Sequence, residues 1–210
     1  MEGGIQSEGL RIGMTGGIAC GKTTASDALG KRGWRVIDTD AIARACLEPG
    51  HEGYKKTVDL FGDEILVNGT ISRAQLAQLV FANSEKLRVF NSLLHPLIRQ
   101  EWKSQLISHL QEKTKIPVVV VIPLLFETSA EKEFDIVISL GCSESSQMSR
   151  LALRGWDMTQ ITQRLAAQWS VEEKMNRSDI VIWNDGSEAC LFRQLDRLDR
   201  QYHSPLSEKE

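Results

Sequence analysis

The chain has 210 residues, of which 41% are hydrophobic and 25% charged, with a formal net charge of −3 from 25 basic and 28 acidic side chains. That length supports one well-buried core with an insertion or two. The charge balance excludes the basic excess expected of a nucleic-acid binder or a membrane-surface protein.

The start of the chain, Met1-Glu2-Gly3-Gly4, lacks a basic segment followed by an apolar stretch, so no signal peptide is expected. The first element is a short apolar strand over residues 11–15. It leads into Gly16-Gly17-Ile18-Ala19-Cys20-Gly21-Lys22-Thr23, which satisfies the phosphate-loop pattern G-x-x-x-x-G-K-[ST]. A helix is expected over residues 24–31. Strand, glycine-rich loop and helix in that order form an anion cradle. Glycines let the backbone wrap a phosphate, successive N–H groups point inward, and the helix N-terminus adds partial positive charge. Gly17, Ile18, Ala19, Cys20, Gly21, Lys22, Thr23 and Thr24 are therefore the expected contacts to a nucleotide's phosphates. Lys22 reaches the outer phosphates and the Thr23 hydroxyl ligates Mg²⁺. Cys20 has two readings: a small side chain that packs, or a thiol made reactive by the helix N-terminus. The four cysteines, Cys20, Cys46, Cys142 and Cys190, form no C-x-x-C pair, which argues against zinc and suits a reducing cytoplasm.

A second strand is expected over residues 34–37, followed by Asp38-Thr39-Asp40. Open α/β sheets bind ligands at the carboxyl ends of their strands. Asp40 is thus either a base for a substrate hydroxyl or the N-cap of the next helix. The gap before the third strand, residues 47–115, reads as a helical insertion. One helix follows Ser72 with Leu76, Leu79 and Val80 on one face. Another carries Leu97, Ile98, Trp102, Leu106 and Leu110 after a break at His95-Pro96. Residues 118–122 are five consecutive β-branched residues, the pattern of a central strand covered on both faces. The apolar run around it, residues 116–126, is interrupted by Pro117 and Pro123 and is too short to span a bilayer. Pro123-Leu124-Leu125-Phe126-Glu127 follows, with Glu127 either serving the site indirectly or, as the simpler reading, a surface carboxylate. A fourth strand is expected over residues 135–140 and a fifth over 179–183. Between them, a charged helical region carries Arg150, Arg154, Arg164, Lys174 and Arg177, either as a solvated face or as cations closing over a triphosphate. Residues 203–210 read as a polar, frayed tail. Strands alternating with helices imply an α/β protein with a parallel sheet.

Several ordered motifs together resemble the dephospho-coenzyme A kinase family, over nearly the whole chain. They are Gly13-Met14-Thr15-Gly16-Gly17, Ile37-Asp38-Thr39-Asp40, Phe61-Gly62, Leu94-His95-Pro96-Leu97-Ile98-Arg99, Pro123-Leu124-Leu125-Phe126-Glu127, Gln147 with Arg150-Leu151 and Arg154, Gln168, and Asp179 with Asn184-Asp185-Gly186. The resemblance implies transfer of phosphate from ATP to the ribose 3′-hydroxyl of dephospho-coenzyme A, the last step of coenzyme A synthesis. It implies a three-layer phosphate-loop fold with a five-stranded parallel sheet. Residues 9–46 and 116–200 would form the nucleotide core, about 145–176 a mobile lid, and 47–115 the substrate domain. It also implies Asp40 as the base, Lys22, Arg150 and Arg154 as cations on the phosphates, and Asn184 near the adenine. The chain departs from the family's pattern at Ala19 for glycine, Cys20 for serine, Thr23 for serine and Thr39 for alanine, and at Arg177-Ser178-Asp179. The competing readings are another small-molecule or nucleoside monophosphate kinase of the same class, or a regulator that binds ATP without turnover. A GTPase is disfavoured because no N-K-x-D motif occurs. The sequence leaves the oligomeric state open.

Overall fold

Five apolar runs pair in parallel into one sheet in a computed structural model that describes residues 9–112 and 114–203. The start of the chain and the polar tail beyond His203 lie outside the described residues. In chain order the elements are β1 (Arg11–Gly16), α1 (Lys22–Lys31), β2 (Arg35–Asp38), α2 (Thr39–Cys46), α3 (Glu52–Phe61), β3 (Leu66–Val67), β4 (Thr70–Ile71), α4 (Arg73–Phe81), α5 (Ser84–Gln111), β5 (Val118–Val121), β6 (Ile136–Gly141), α6 (Glu144–Leu153), α7 (Met158–Ala166), α8 (Val171–Asn176), β7 (Ile180–Trp183) and α9 (Glu188–Tyr202). The large sheet runs β2-β5-β1-β6-β7, with β1 at its centre. Ile12 lies beside Val119 on one side and Ile136 on the other.

The β-branched run of β5 is buried throughout because its two faces feed two cores. Val119 and Val121 pack with Ile12, Met14, Leu29 of α1 and Leu195 of α9. Val118 and Val120 pack with Ile42 of α2 and with Trp102 and Leu106 of α5. A strand's side chains alternate between faces, so an uninterrupted apolar run is what a sheet layered between helices needs. This is the three-layer α/β architecture, and it brings the carboxyl ends of β1, β2 and β5 to one edge.

Two features differ from expectation. Helix α5 runs unbroken through Pro96. A proline in a helix interior loses one backbone hydrogen bond and crowds the preceding turn. Packing offsets this on both sides: Leu94 is buried before the proline, and Trp102 and Leu106 are buried on the sheet after it. The insertion also contains the small hairpin β3–β4, closed by Asn68 at φ 49° and Gly69 at φ 76°. Asn-Gly suits such a turn because both residues accept positive φ.

Candidate active site

The loop between β1 and α1 is held open by its neighbours. Gln147 Nε2 donates to the Ile18 carbonyl at 2.7 Å, Arg150 to the Ala19 carbonyl at 3.2 Å, and Asn184 Nδ2 to the Cys20 carbonyl at 3.0 Å. None of these three residues lines the cleft in front of the loop. They draw the partial negative charges of the carbonyls away from the place where an anion would sit. Lys22 Nζ donates to the carbonyls of Gly16 and Gly17, each at 2.9 Å. Burial is the main reason its ammonium is lowered to about 8. Gly21 has φ 99°, and a Cβ there would strike the Asn184 amide, so glycine is required on both counts.

Ala19 also has positive φ, at 60°. For alanine the left-handed region costs on the order of 1–2 kcal/mol. Its methyl group is buried against Leu151 of α6 and Ile161 of α7, contacts that a glycine would lack. Cys20 is fully buried, with its sulfur 3.3 Å from that of Cys142. Arg150 reaches a second carbonyl as well, that of Asn184 at 2.6 Å. Asn184 itself is buried, so both residues brace the back of the loop.

Two chambers meet in front of the loop. The first, about 330 Å³, is lined by Lys22, Thr23, Thr24, Arg154, Arg164 and Gln168 among others. The second, about 620 Å³, lies beside α5 and is lined by Leu94, His95, Arg99 and Trp102 among others. Asp40, Asn91, Pro123 and Leu124 line both. Asp40 therefore stands at the junction. It is not the helix cap: Asp38 caps α2 by accepting the Asp40 N–H at 2.8 Å. Burial, followed by the neighbouring Asp38, raises the Asp40 carboxyl above its ordinary value, while Lys22 and Arg44 pull it down.

Glu127 is not a free surface carboxylate. Its side chain is 14% exposed and pairs at 2.9 Å with Lys174, which is wholly buried. Lys174 also donates to the Pro123 carbonyl at 2.6 Å, and Glu127 accepts the Trp169 N–H at 2.8 Å. Phe126 and Trp169 stack with ring centroids 6.1 Å apart. The segment after β5 is thereby fastened to the segment between α7 and α8. Arg164 lies between Trp156 at 4.2 Å and Phe81 at 4.4 Å, joining α7 to α4 across the first chamber. In the sequence, Arg164 and Lys174 stand out only as members of a basic region, because their partners lie far away along the chain.

The dephospho-CoA kinase family model matches residues 10–189. A dephospho-CoA kinase of Bdellovibrio bacteriovorus is 38% identical over 188 residues, covering 89% of this chain and 93% of the relative. One from Carboxydothermus hydrogenoformans is 42% identical, covering 84% and 86%. The chain belongs to the dephospho-CoA kinase family. The solved dephospho-CoA kinase of Campylobacter jejuni superposes with a TM-score of 0.66 at 26% identity, over 92% of this chain and 97% of that one. A Thermus thermophilus protein gives 0.73 at 29% identity, over 92% and 98%. As a family member this chain is a phosphotransferase acting on an alcohol group, with ATP as its phosphate donor. Among the described residues, no helix is long and apolar enough to cross a membrane.

Proposed function

We propose that this chain uses Asp40 as the base that takes the proton of the acceptor's ribose 3′-hydroxyl. The observation carrying this reading is the position of Asp40 on the wall shared by the two chambers. The loop chamber would hold the ATP phosphates and the wider chamber the acceptor. The hydroxyl oxygen forms its bond to the γ-phosphorus as its proton passes to Asp40. The bond to the β-phosphate oxygen breaks and ADP leaves. Lys22 would neutralise charge on the transferring group. Arg154 and Arg164, facing the same chamber, are suited to meet the outer phosphates when the lid closes.

Thr23 lines this chamber and offers its hydroxyl, a hard oxygen donor. This donor suits Mg²⁺. Among the described residues no cluster of three or more His, Cys, Asp or Glu could hold a metal, so the ion would complete its shell with phosphate oxygens and water. Bound there, it would supply charge neutralisation on the phosphates. We assign residues 47–115 to acceptor binding, about 145–176 to the lid, and the rest to the nucleotide core. The lid assignment rests on three short helices with their own caps, Ser143, Asp157 and Ser170, around a turn at Gly155. Scattered cysteines favour a cytoplasmic setting.

Mass analysis of the product tests this reading. ATP and dephospho-CoA should yield a species with the mass and retention of coenzyme A. A product phosphorylated elsewhere, or ATP hydrolysis alone, would overturn it.

A further inference from the structure

Cys20 sits in the phosphate loop, and Cys142 directly follows β6. Both are buried, and the Cys142 thiol donates to the Cys20 sulfur at 3.3 Å. We propose that Cys20 and Cys142 are an oxidative modification site, closing to a reversible disulfide that weakens ATP binding. The inference rests on the reading of this loop as the ATP site. The sulfurs already touch at 3.3 Å and need approach each other by only about 1.3 Å to reach bonding distance.

The chemistry around the pair favours Cys20 as the attacking sulfur. The hydrogen bond from Cys142, with the charges of Lys22 and Arg150, lowers the Cys20 thiol to about 7 against the effect of burial. Cys142 is pushed the other way by the same contact, so it retains the proton. With hydrogen peroxide as oxidant, the Cys20 sulfur attacks one peroxide oxygen and becomes a sulfenic acid, releasing water. The Cys142 sulfur then attacks that sulfur, and a second water leaves. Two thiols have lost two protons and two electrons, and the peroxide has become two waters. A dithiol reductant reverses the step by exchange.

Closing the bond pulls directly on the loop, because Cys20 is part of it. Cys142 is anchored by its neighbour Gly141, which pairs with Trp183 and accepts the Asn184 N–H at 2.8 Å. Cys20 carries two of the bonds that shape the loop, its own N–H to the Gly17 carbonyl at 3.2 Å and the Asn184 amide on its carbonyl at 3.0 Å, and closing the disulfide strains both. Drawing Cys20 toward β6 shifts the amides of Ala19 and Gly21. Misplacing positioning groups by about 1 Å can cost on the order of 100-fold in rate, and the same amides also hold the phosphates. ATP, by ordering the loop over the buried thiols, should slow the oxidation.

The test uses full-length protein carrying Cys46→Ser and Cys190→Ser, so that only this pair remains. After peroxide treatment the intact mass should fall by about 2 Da and peptide mapping should join Cys20 to Cys142. ATP affinity by calorimetry should fall by about tenfold or more and recover with dithiothreitol. Cys142→Ser and Cys142→Ala in the same background should keep the reduced protein's affinity and lose the oxidant sensitivity. A peptide map without the crosslink, or a crosslinked protein that binds ATP normally, would overturn the proposal. The mass readout is independent of any acceptor, so failure of the kinase reading would leave it intact.

Discussion

The Asp38 carboxylate accepts the Asp40 backbone N–H at 2.8 Å, which makes Asp38 the cap of α2 and leaves the Asp40 side chain for the cleft. Two carboxylates two residues apart thus divide two tasks. Asp40→Asn should retain ATP affinity while turnover falls by about 100-fold or more, the scale of a lost general base. Asp38→Ala should instead cost about 1 kcal/mol of stability through loss of the cap. Steady-state kinetics beside chemical denaturation separates the two, and near-normal turnover by Asp40→Asn would rule it out as the base.

The pH dependence follows from the same junction. Transfer from the free enzyme needs Asp40 ionised and Lys22 protonated. The Asp40 carboxyl is raised by burial and by Asp38, so kcat/KM should fall on the acid side at a pH above the ordinary carboxylate range. Lys22 is lowered to about 8, so kcat/KM should also fall as pH rises through about 8. Stability has the opposite sign on this basic side. Between about 8 and 10.5 the unfolded chain binds the Lys22 proton that the folded one has released, so the ligand-free protein gains stability from this group as pH rises. A pH–rate profile beside a pH–stability profile checks both signs, and Asp40→Asn should erase the acid limb.

Lys174 and Glu127 form a buried pair, and removing one partner strands the other's charge. Lys174→Met should destabilise the protein by about 3–5 kcal/mol. Lys174→Met combined with Glu127→Leu should recover much of that loss. Denaturant unfolding of the two variants measures the difference; equal stabilities would show that the pair is not the unit.

Arg150 and Arg154 stand four residues apart but face different tasks. Arg150→Ala releases the carbonyls of Ala19 and Asn184, so its main effect should be a higher KM for ATP, by about tenfold, the value of one or two hydrogen bonds from a charged group. Arg154→Ala empties a position on the chamber wall and should lower kcat. Normal kinetics in both would remove these arginines from the account.

Much of this was legible in the sequence. The five strands stood out as apolar runs between breakers, and the phosphate loop carries its geometry in its glycines. Asp40 was legible as a carboxylate at a strand end, but the choice between cap and base needed the Asp38 contact. Pro96 misled because local propensity was outweighed by burial of Leu94, Trp102 and Leu106 along one helix. The β3–β4 hairpin had a readable signal in Asn68-Gly69 that the helical pattern around it masked. Glu127 and Lys174, like Cys20 and Cys142, meet only through the folding of distant segments, which no local pattern encodes. Ala19 is clear only once α6 and α7 are seen to pack on its methyl group.

ADP release by the purified protein, coupled to an indicator reaction, tests the central claim most directly when the acceptor alone is varied. With ATP and Mg²⁺ held constant, ADP should appear stoichiometrically with dephospho-CoA and stay at background with nucleosides and nucleoside monophosphates. Release that is independent of dephospho-CoA, or faster with a nucleoside monophosphate, would contradict the assignment of the wider chamber and of Asp40 between the two.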